Sequence, residues 1–350
     1  MSDLIPRKPP DVVLSRDVTH DALRLPHRAG LYFRVRRGAY TRPSAATTLW
    51  ARREHNVLAQ CAALARQLSC QFVFSHETAA LIHGCWIREV DDVVHVTQTT
   101  IPSTVGPRNL RRHFSPRLPD DDVTVVHGLR VTTLERTVEE CARTMSPRDG
   151  LAIADSAIRI LARPDRFDRA ASTRGIARVR NRLRARLEAK PGARGIVRAR
   201  AVVKYADGFS ESPGETDLRW VAVSRGLPRP TSQFRVRTTE GTYYTDLGWV
   251  VAEGHNDGGR SLGRVIVAEY DGISKYGAGP DGTPLYAEKT REDAIRATGV
   301  VVHRFARRSF DDTDQLFATL CGGFPTEILQ NLVPVPGLTI LPSGTDARAG

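Results

Sequence analysis

Four carboxylates in the C-terminal part of the chain stand at spacings that would gather them into one site. Asp246 lies in Thr245-Asp246-Leu247, Glu269 and Asp271 lie in Val267-Ala268-Glu269-Tyr270-Asp271-Gly272, and Glu215 follows Ser210-Glu211-Ser212-Pro213-Gly214. Residues two apart on a strand share a face, so Glu269 and Asp271 point the same way. If the strands carrying Asp246 and Glu269 pair antiparallel, the start of the first lies beside the end of the second and the two acids meet. Carboxylates crowded on one face repel unless a cation sits among them, and a hard divalent ion such as Mg²⁺, or Mn²⁺ in its place, takes oxygen ligands of this kind. The chemistry expected of such a group is metal-assisted phosphodiester hydrolysis. Asp246 and Glu269 would hold the ion, the ion would acidify a water and clamp the phosphate, and a lysine would steady the developing charge.

The elements that must position these groups are legible in outline. Tyr243 to Val251 and Arg264 to Asp271 are rich in β-branched and aromatic residues, and the intervening Ala252 to Gly263 is full of Gly, Asn and Asp, which predicts a hairpin. Ser212 opens a helix with Leu218, Val221 and Ala222 at helical spacing, stopping at Gly226 before Pro228. Gln233 to Arg237 reads as a preceding strand, Thr290 to Thr298 as the core of a helix ending at Gly299, and Val300 to Phe305 as a closing strand. Simpler readings stand beside these. Ser212-Pro213-Gly214-Glu215 is also a capping box in which Glu215 reaches back to the N-cap amide. Asp271-Gly272 is also a strand-ending turn. Lys275, Lys289 and Arg291 are also read as solvated charges.

The order helix, three strands, helix, strand, with a Glu in the first helix and acids on the second and third strands, resembles the PD-(D/E)XK nuclease superfamily. Within it, Glu269-Tyr270-Asp271-Gly272, Lys275-Tyr276-Gly277 and Glu288-Lys289-Thr290-Arg291 are similar to an endonuclease-like domain of unknown function related to very-short-patch-repair endonucleases. The resemblance implies catalytic roles for Glu215, Asp246, Glu269, Asp271, Lys275 and Lys289, with Asp246 and Glu269 as the metal ligands. Asp271 stands where the superfamily motif has lysine, so Lys275 or Lys289 would supply the cation.

The chain of 350 residues, 41% hydrophobic, is long enough for two or three domains with ordinary cores. With 51 Lys and Arg against 39 Asp and Glu, its net charge of +12 favours a polyanionic partner. An aromatic share of 7% provides no stacking platform for RNA. The five cysteines, Cys61, Cys70, Cys85, Cys141 and Cys321, stand apart without CxxC spacing, which argues for free thiols in a cytoplasm. No apolar run approaches membrane-spanning length, so no membrane role is expected.

In the front half, Ala29 to Tyr40 alternates apolar and basic residues and predicts a wing-like hairpin laying Arg34, Arg36 and Arg37 along a phosphate backbone. A helix around Thr48 to Leu68 follows, then a short helix that Ser75 can cap, strands at Val93 to Thr97 and Leu129 to Thr132, and a helix from Thr133 to Glu140. The segments Arg36-Arg37-Gly38-Ala39-Tyr40, Ser75-His76-x-x-Ala79-Ala80, Val94-His95-Val96-Thr97 and Gly128-Leu129-Arg130-Val131-Thr132-Thr133 resemble the AbiEi family of antitoxin-like winged-helix regulators, with a helix-turn-helix shortened to what Asp11 to Arg28 can hold. His76 and His83, seven apart on one helix, read as structural, because no third and fourth ligand stands at plausible spacing.

From Arg174 to Lys204 runs a basic stretch whose Ile176, Val179, Leu183 and Leu187 form one apolar helical stripe, broken at Pro191-Gly192 and followed by a short helix over Ile196 to Val203. Arg178, Arg182 and Arg186 are its candidate phosphate contacts, the alternative being a solvated linker face.

The expected fold is therefore a multidomain α/β (α+β) chain. It comprises a reduced winged-helix-like region over 1–45, an AbiEi-like α/β domain over 46–170, a basic helical linker over 171–208, a PD-(D/E)XK restriction-endonuclease-like domain over 209–320, and a tail over 321–350 disordered from Pro334. The expected function is DNA binding with Mg²⁺-dependent nicking or cleavage. The alternative is a non-catalytic antitoxin and transcriptional regulator with a degenerate nuclease domain and a cognate toxin as partner.

Overall fold

The computed structural model describes residues 4–102, 107–252, 263–272 and 283–340, with the backbone alone for 20–21, 252 and 283–289. The chain divides into two compact units, Ser2–Met145 and Ser146–Gly350.

The first unit opens with β1 (Val12–Leu14), α1 (His20–Arg28), β2 (Phe33–Arg36), β3 (Ala39–Thr41) and α2 (Leu49–Gln67). The three strands form an antiparallel sheet in the order β1-β3-β2. Leu14, Val35 and Ala39 from the sheet bury against Ala59 and Ala63 of α2. Ahead of the hairpin stands the single helix α1, nine residues long with Pro26 inside it. The unit continues through β4 (Val73–Phe74), α3 (His76–His83), β5 (Val94–Gln98), β6 (Leu110–Phe114), β7 (Val123–Val126), β8 (Leu129–Thr132) and α4 (Leu134–Thr144). Their five strands form a mixed sheet in the order β6-β5-β4-β8-β7, in which β5 pairs parallel with β6 and β4 parallel with β8. Ser75 holds the N-cap position of α3 without a side-chain cap bond. Its hydroxyl instead accepts from Thr97 Oγ1 at 2.8 Å and meets His76 Nδ1 at 3.0 Å.

The second unit begins with α5 (Pro147–Ala162), α6 (Arg169–Glu188), α7 (Ile196–Tyr205) and α8 (Pro213–Ser224). Residues 171–208 are thus packed helices of this unit: Ile176, Val179, Leu183 and Leu187 of α6 are all buried, as the periodicity predicts, and Val202 and Val203 of α7 join them. After α8 come β9 (Thr231–Arg237), β10 (Thr242–Ala252), β11 (Gly263–Asp271), α9 (Thr283–Arg296), β12 (Val301–Ala306), α10 (Thr313–Cys321) and α11 (Thr326–Gln330). The sheet order is β12-β11-β10-β9, with β9, β10 and β11 antiparallel and β11 parallel to β12. Ile295 of α9 covers Val236 and Val267 on one sheet face. The sequential order helix, three strands, helix, strand is present.

Part of the segment expected to be disordered is docked. Trp220 of α8 donates its indole N–H to the Leu338 carbonyl at 2.9 Å, Leu338 is fully buried, and Val335 N donates to Ser224 O at 3.0 Å. Composition near Pro334 signals poor helix and strand formation, but three anchoring contacts order such a segment all the same. Gly226 makes the docking possible. Its φ is +98°, and a Cβ there would lie 2.6 Å from Val333 N. Gly226→Ala should therefore cost about 2 kcal/mol, read as a lower urea midpoint at unchanged slope. An unchanged midpoint would mean that residues 333–338 are not held in this way.

Candidate functional site

Glu215 lies in the first turn of α8, where Ser212 is the N-cap and its hydroxyl accepts from Glu215 N at 3.2 Å. The Glu215 carboxylate completes the cap one residue further upstream than a capping box, accepting from Glu211 N at 2.8 Å and from Gln233 Nε2 at 3.3 Å. Burial first, and then the charge of Asp246, push the Glu215 carboxyl up to about 8. Below about pH 8 this acid holds its proton, and anything that offsets its burial and the charge of Asp246 would favour its ionised form.

Asp246 is positioned by a break in the β9–β10 ladder. The pairs Thr245↔Phe234 and Leu247↔Ser232 flank it, and opposite it Gln233 takes a left-handed backbone angle, φ +49°. That conformation is costly for a residue with a Cβ. Three contacts hold it: Gln233 Oε1 accepts from Arg166 at 3.1 Å, the Gln233 carbonyl accepts from Arg169 at 3.1 Å, and its amide donates to Glu215. Nothing in the sequence around Gln233 signals this. On the other side, the hairpin pairs Leu247 with Ala268, the register that brings Asp246 toward Glu269. The Asp246 carboxylate turns to accept Tyr270 N at 2.7 Å.

Arginines meet the remaining acids. Glu269 is buried and paired with Arg291 of α9, which also donates to Tyr244 O at 2.9 Å, while Arg304 stands 4.0 Å from Glu269 Oε2. Arg304 of β12 grips Asp271 through two bonds of 3.0 and 3.1 Å and reaches Glu292 at 2.7 Å. Lys275 lies outside the described residues, as does the side chain of Lys289. Among the described residues these carboxylates do not form a group of three donor atoms all within 4.8 Å of one another. Arg291, read from sequence as a solvated charge, is thus a partner of Glu269, and Arg304 was not foreseen. An arginine's partner is set by packing, and no local pattern around His303-Arg304-Phe305 announces it.

The basic elements divide likewise. On α6, Arg178 and Arg182 are exposed, away from the apolar stripe, and Arg186 is half-buried at its edge. A neighbouring cleft of about 500 Å³ is lined by Arg180, Arg184, Glu188, Arg200, Lys204 and Arg229. In the front hairpin Arg34 and Arg37 are exposed, but a bulge between Arg34 and Arg36 turns Arg36 inward. Burial and the neighbouring Arg112 lower the pKa of Arg36, and its Nε has no hydrogen-bond partner. Strand alternation placed Arg34 and Arg36 on one face; the bulge undoes that alternation.

His83 bonds the Thr132 carbonyl at 2.7 Å. His76 faces His95 and His113, two partners that linear spacing did not connect with it.

Residues 71–189 match the AbiEi antitoxin C-terminal domain family. The chain is also similar to two uncharacterized proteins of Mycobacterium tuberculosis, one from strain CDC 1551 / Oshkosh and one from strain ATCC 25618 / H37Rv. Each is 29% identical over 175 residues, covering 50% of this chain and 54% of the relative. The chain thus spans about half the length of the curated relatives it matches. No helix among the described residues is long and apolar enough to cross a membrane.

Proposed function

We propose that this chain is an antitoxin-type, DNA-binding regulator with a cognate toxin as its partner. The observation that carries the reading is the match of residues 71–189 to the AbiEi antitoxin C-terminal domain. Supporting it are the net charge of +12 and the exposed cations Arg34, Arg37, Arg178 and Arg182 on two basic elements. Buried thiols at Cys61 and Cys141 favour a reducing, cytoplasmic setting. The β1–β3 sheet with α1 serves as a reduced winged helix in this reading, with Arg34 and Arg37 on phosphates.

The test is binding to the protein's own promoter, followed by fluorescence anisotropy across 50 to 200 mM salt. Replacing Arg178, Arg182 and Arg186 together by Ala should lower the salt slope by about 2 to 3 and weaken binding by more than about tenfold at low salt, because each lost phosphate contact releases fewer counterions. An unchanged slope would show that α6 does not touch DNA.

A second reading, Mg²⁺-dependent cleavage by a PD-(D/E)XK-like unit, is favoured by one observation: the β10–β11 register brings Asp246 toward Glu269, and Asp246 adds to burial in raising the pKa of Glu215. A divalent ion would suit that pair, with Asp246 and Glu269 as ligands, and would supply an acidified water. Against it, Arg291 and Arg304 already neutralise Glu269 and Asp271. Plasmid nicking with Mg²⁺ or Mn²⁺ that disappears in Asp246→Asn while DNA binding persists would favour this reading over the first.

A further inference from the structure

Three histidines far apart in sequence converge in the first unit. His76 stands at the start of α3, His95 on β5 and His113 on β6, and one ring nitrogen from each lies within 4.8 Å of the others. His113 Nε2 and His95 Nδ1 are 3.2 Å apart. Imidazole nitrogens on a tetrahedral zinc ion, at about 2.05 Å each, stand about 3.3 Å from one another. We propose that His76, His95 and His113 form a binding site for a divalent transition metal ion, zinc suiting it best, with a fourth position open to water.

Carboxylates stand behind two of the rings, the kind of outer layer that surrounds metal-bound imidazoles. His95 Nε2 faces Glu77 Oε2 at 3.9 Å, beyond hydrogen-bond reach, while its Nδ1 meets His113 Nε2. His76 Nδ1 meets Ser75 Oγ at 3.0 Å, with Glu140 Oε2 at 3.6 Å. Binding an ion requires each ligating nitrogen to be unprotonated, so the proton between His113 Nε2 and His95 Nδ1 would move to the far nitrogen of its ring.

Two features oppose the ion. Arg111 and Arg136 lie near the cluster, although Arg136 is paired with Glu140 and Asp122. His76 and His113 stack with centroids 3.7 Å apart and planes 16° apart, so coordination requires the rings to splay. Torsion about the Cβ–Cγ bond of histidine is broad and allows it. His76 also holds a left-handed backbone angle, φ +52°, a strained setting common where a side chain is aimed for function.

The test is titration of the full-length, metal-free protein with Co²⁺ and then Zn²⁺ at pH 7.5. One equivalent of Co²⁺ should produce intense visible bands of a four- or five-coordinate ion, displaced by one equivalent of Zn²⁺. His113→Ala, at a half-buried position on an edge strand, should weaken binding by at least about 100-fold. X-ray absorption at the zinc edge of the wild type, which needs no variant, should count three imidazoles. Absence of saturable binding below about 0.1 mM Zn²⁺ would overturn the proposal. Binding that survives His113→Ala and is lost in Asp246→Asn would assign the ion to the carboxylates, and would overturn it equally.

Discussion

Asp155→Ala should destabilise the protein by about 3 to 5 kcal/mol, a large fraction of the roughly 5 to 15 kcal/mol that holds an ordinary domain together. Asp155 of α5 and Arg219 of α8 are both fully buried and ion-paired. The Asp155 carboxylate also accepts from Thr216 Oγ1 and from Asp207 N, each at 2.7 Å. Arg219 turns its other nitrogen to the Tyr205 carbonyl, and its Nε already has no partner. Removing the acid takes from a buried guanidinium its hydrogen-bonded counter-charge, leaving only the neighbouring Asp207, and orphans two further donors. Urea denaturation of the purified variant measures the loss. The contrast is Glu188→Ala, whose pair with Arg184 is 67% and 63% exposed and should cost less than about 0.5 kcal/mol. If Asp155→Ala costs no more than that control, the pair does not hold α5 to α8.

The second large effect concerns pH. Folded Glu215 keeps its proton to about 8, whereas an unfolded chain releases it near the ordinary 4.5. Between those values the native state binds the additional proton, so this group makes stability fall as pH rises from about 4.5 to 8, levelling above that. Glu215→Gln removes the ionisation while preserving an oxygen that accepts from Glu211 N and Gln233. The variant should lose the slope and exceed the wild type by about 3 kcal/mol at pH 9, with little difference at pH 5. Denaturant midpoints across that range are the measurement. Parallel wild-type and variant profiles would show that neither burial nor Asp246 raises the Glu215 pKa. Repeating the series with Mg²⁺ adds a direct test of the cleavage reading, because an ion that ionises Glu215 would flatten the wild-type slope.

Local chemistry made much of the second unit readable. The Ser212 cap, the β10–β11 hairpin, the buried stripe of α6 and the closing strand after Gly299 all follow from near neighbours: a cap needs three residues, a hairpin needs a turn, and a stripe needs helical spacing. The α5 helix was not read, though Ser146-Pro147 opens it with an N-cap serine and an N1 proline. Its interior, Leu151 to Ile158, is nearly all buried, so it lacks the polar face that makes a helix easy to recognise.

The sequence by itself determined the secondary elements that carry Glu215, Asp246, Glu269 and Asp271, the basic character of α6 and the front hairpin, and a likeness to the AbiEi family over roughly the first half, of which residues 71–189 match the AbiEi antitoxin C-terminal domain. Tertiary structure alone decided what those acids face. Arg291 and Arg304 reach them from α9 and β12, joined to β11 by a parallel crossover that no turn encodes, and a long guanidinium side chain takes whichever partner the packing presents. The same reason hid the three histidines. Parallel pairing of β5 with β6 sets Thr97 beside His113 and leaves His95 within reach of it, while the end of β4 delivers His76 from the other side. Such pairings are fixed by the burial of whole sheet faces, and nothing in the spacing of 76, 95 and 113 along the chain records them.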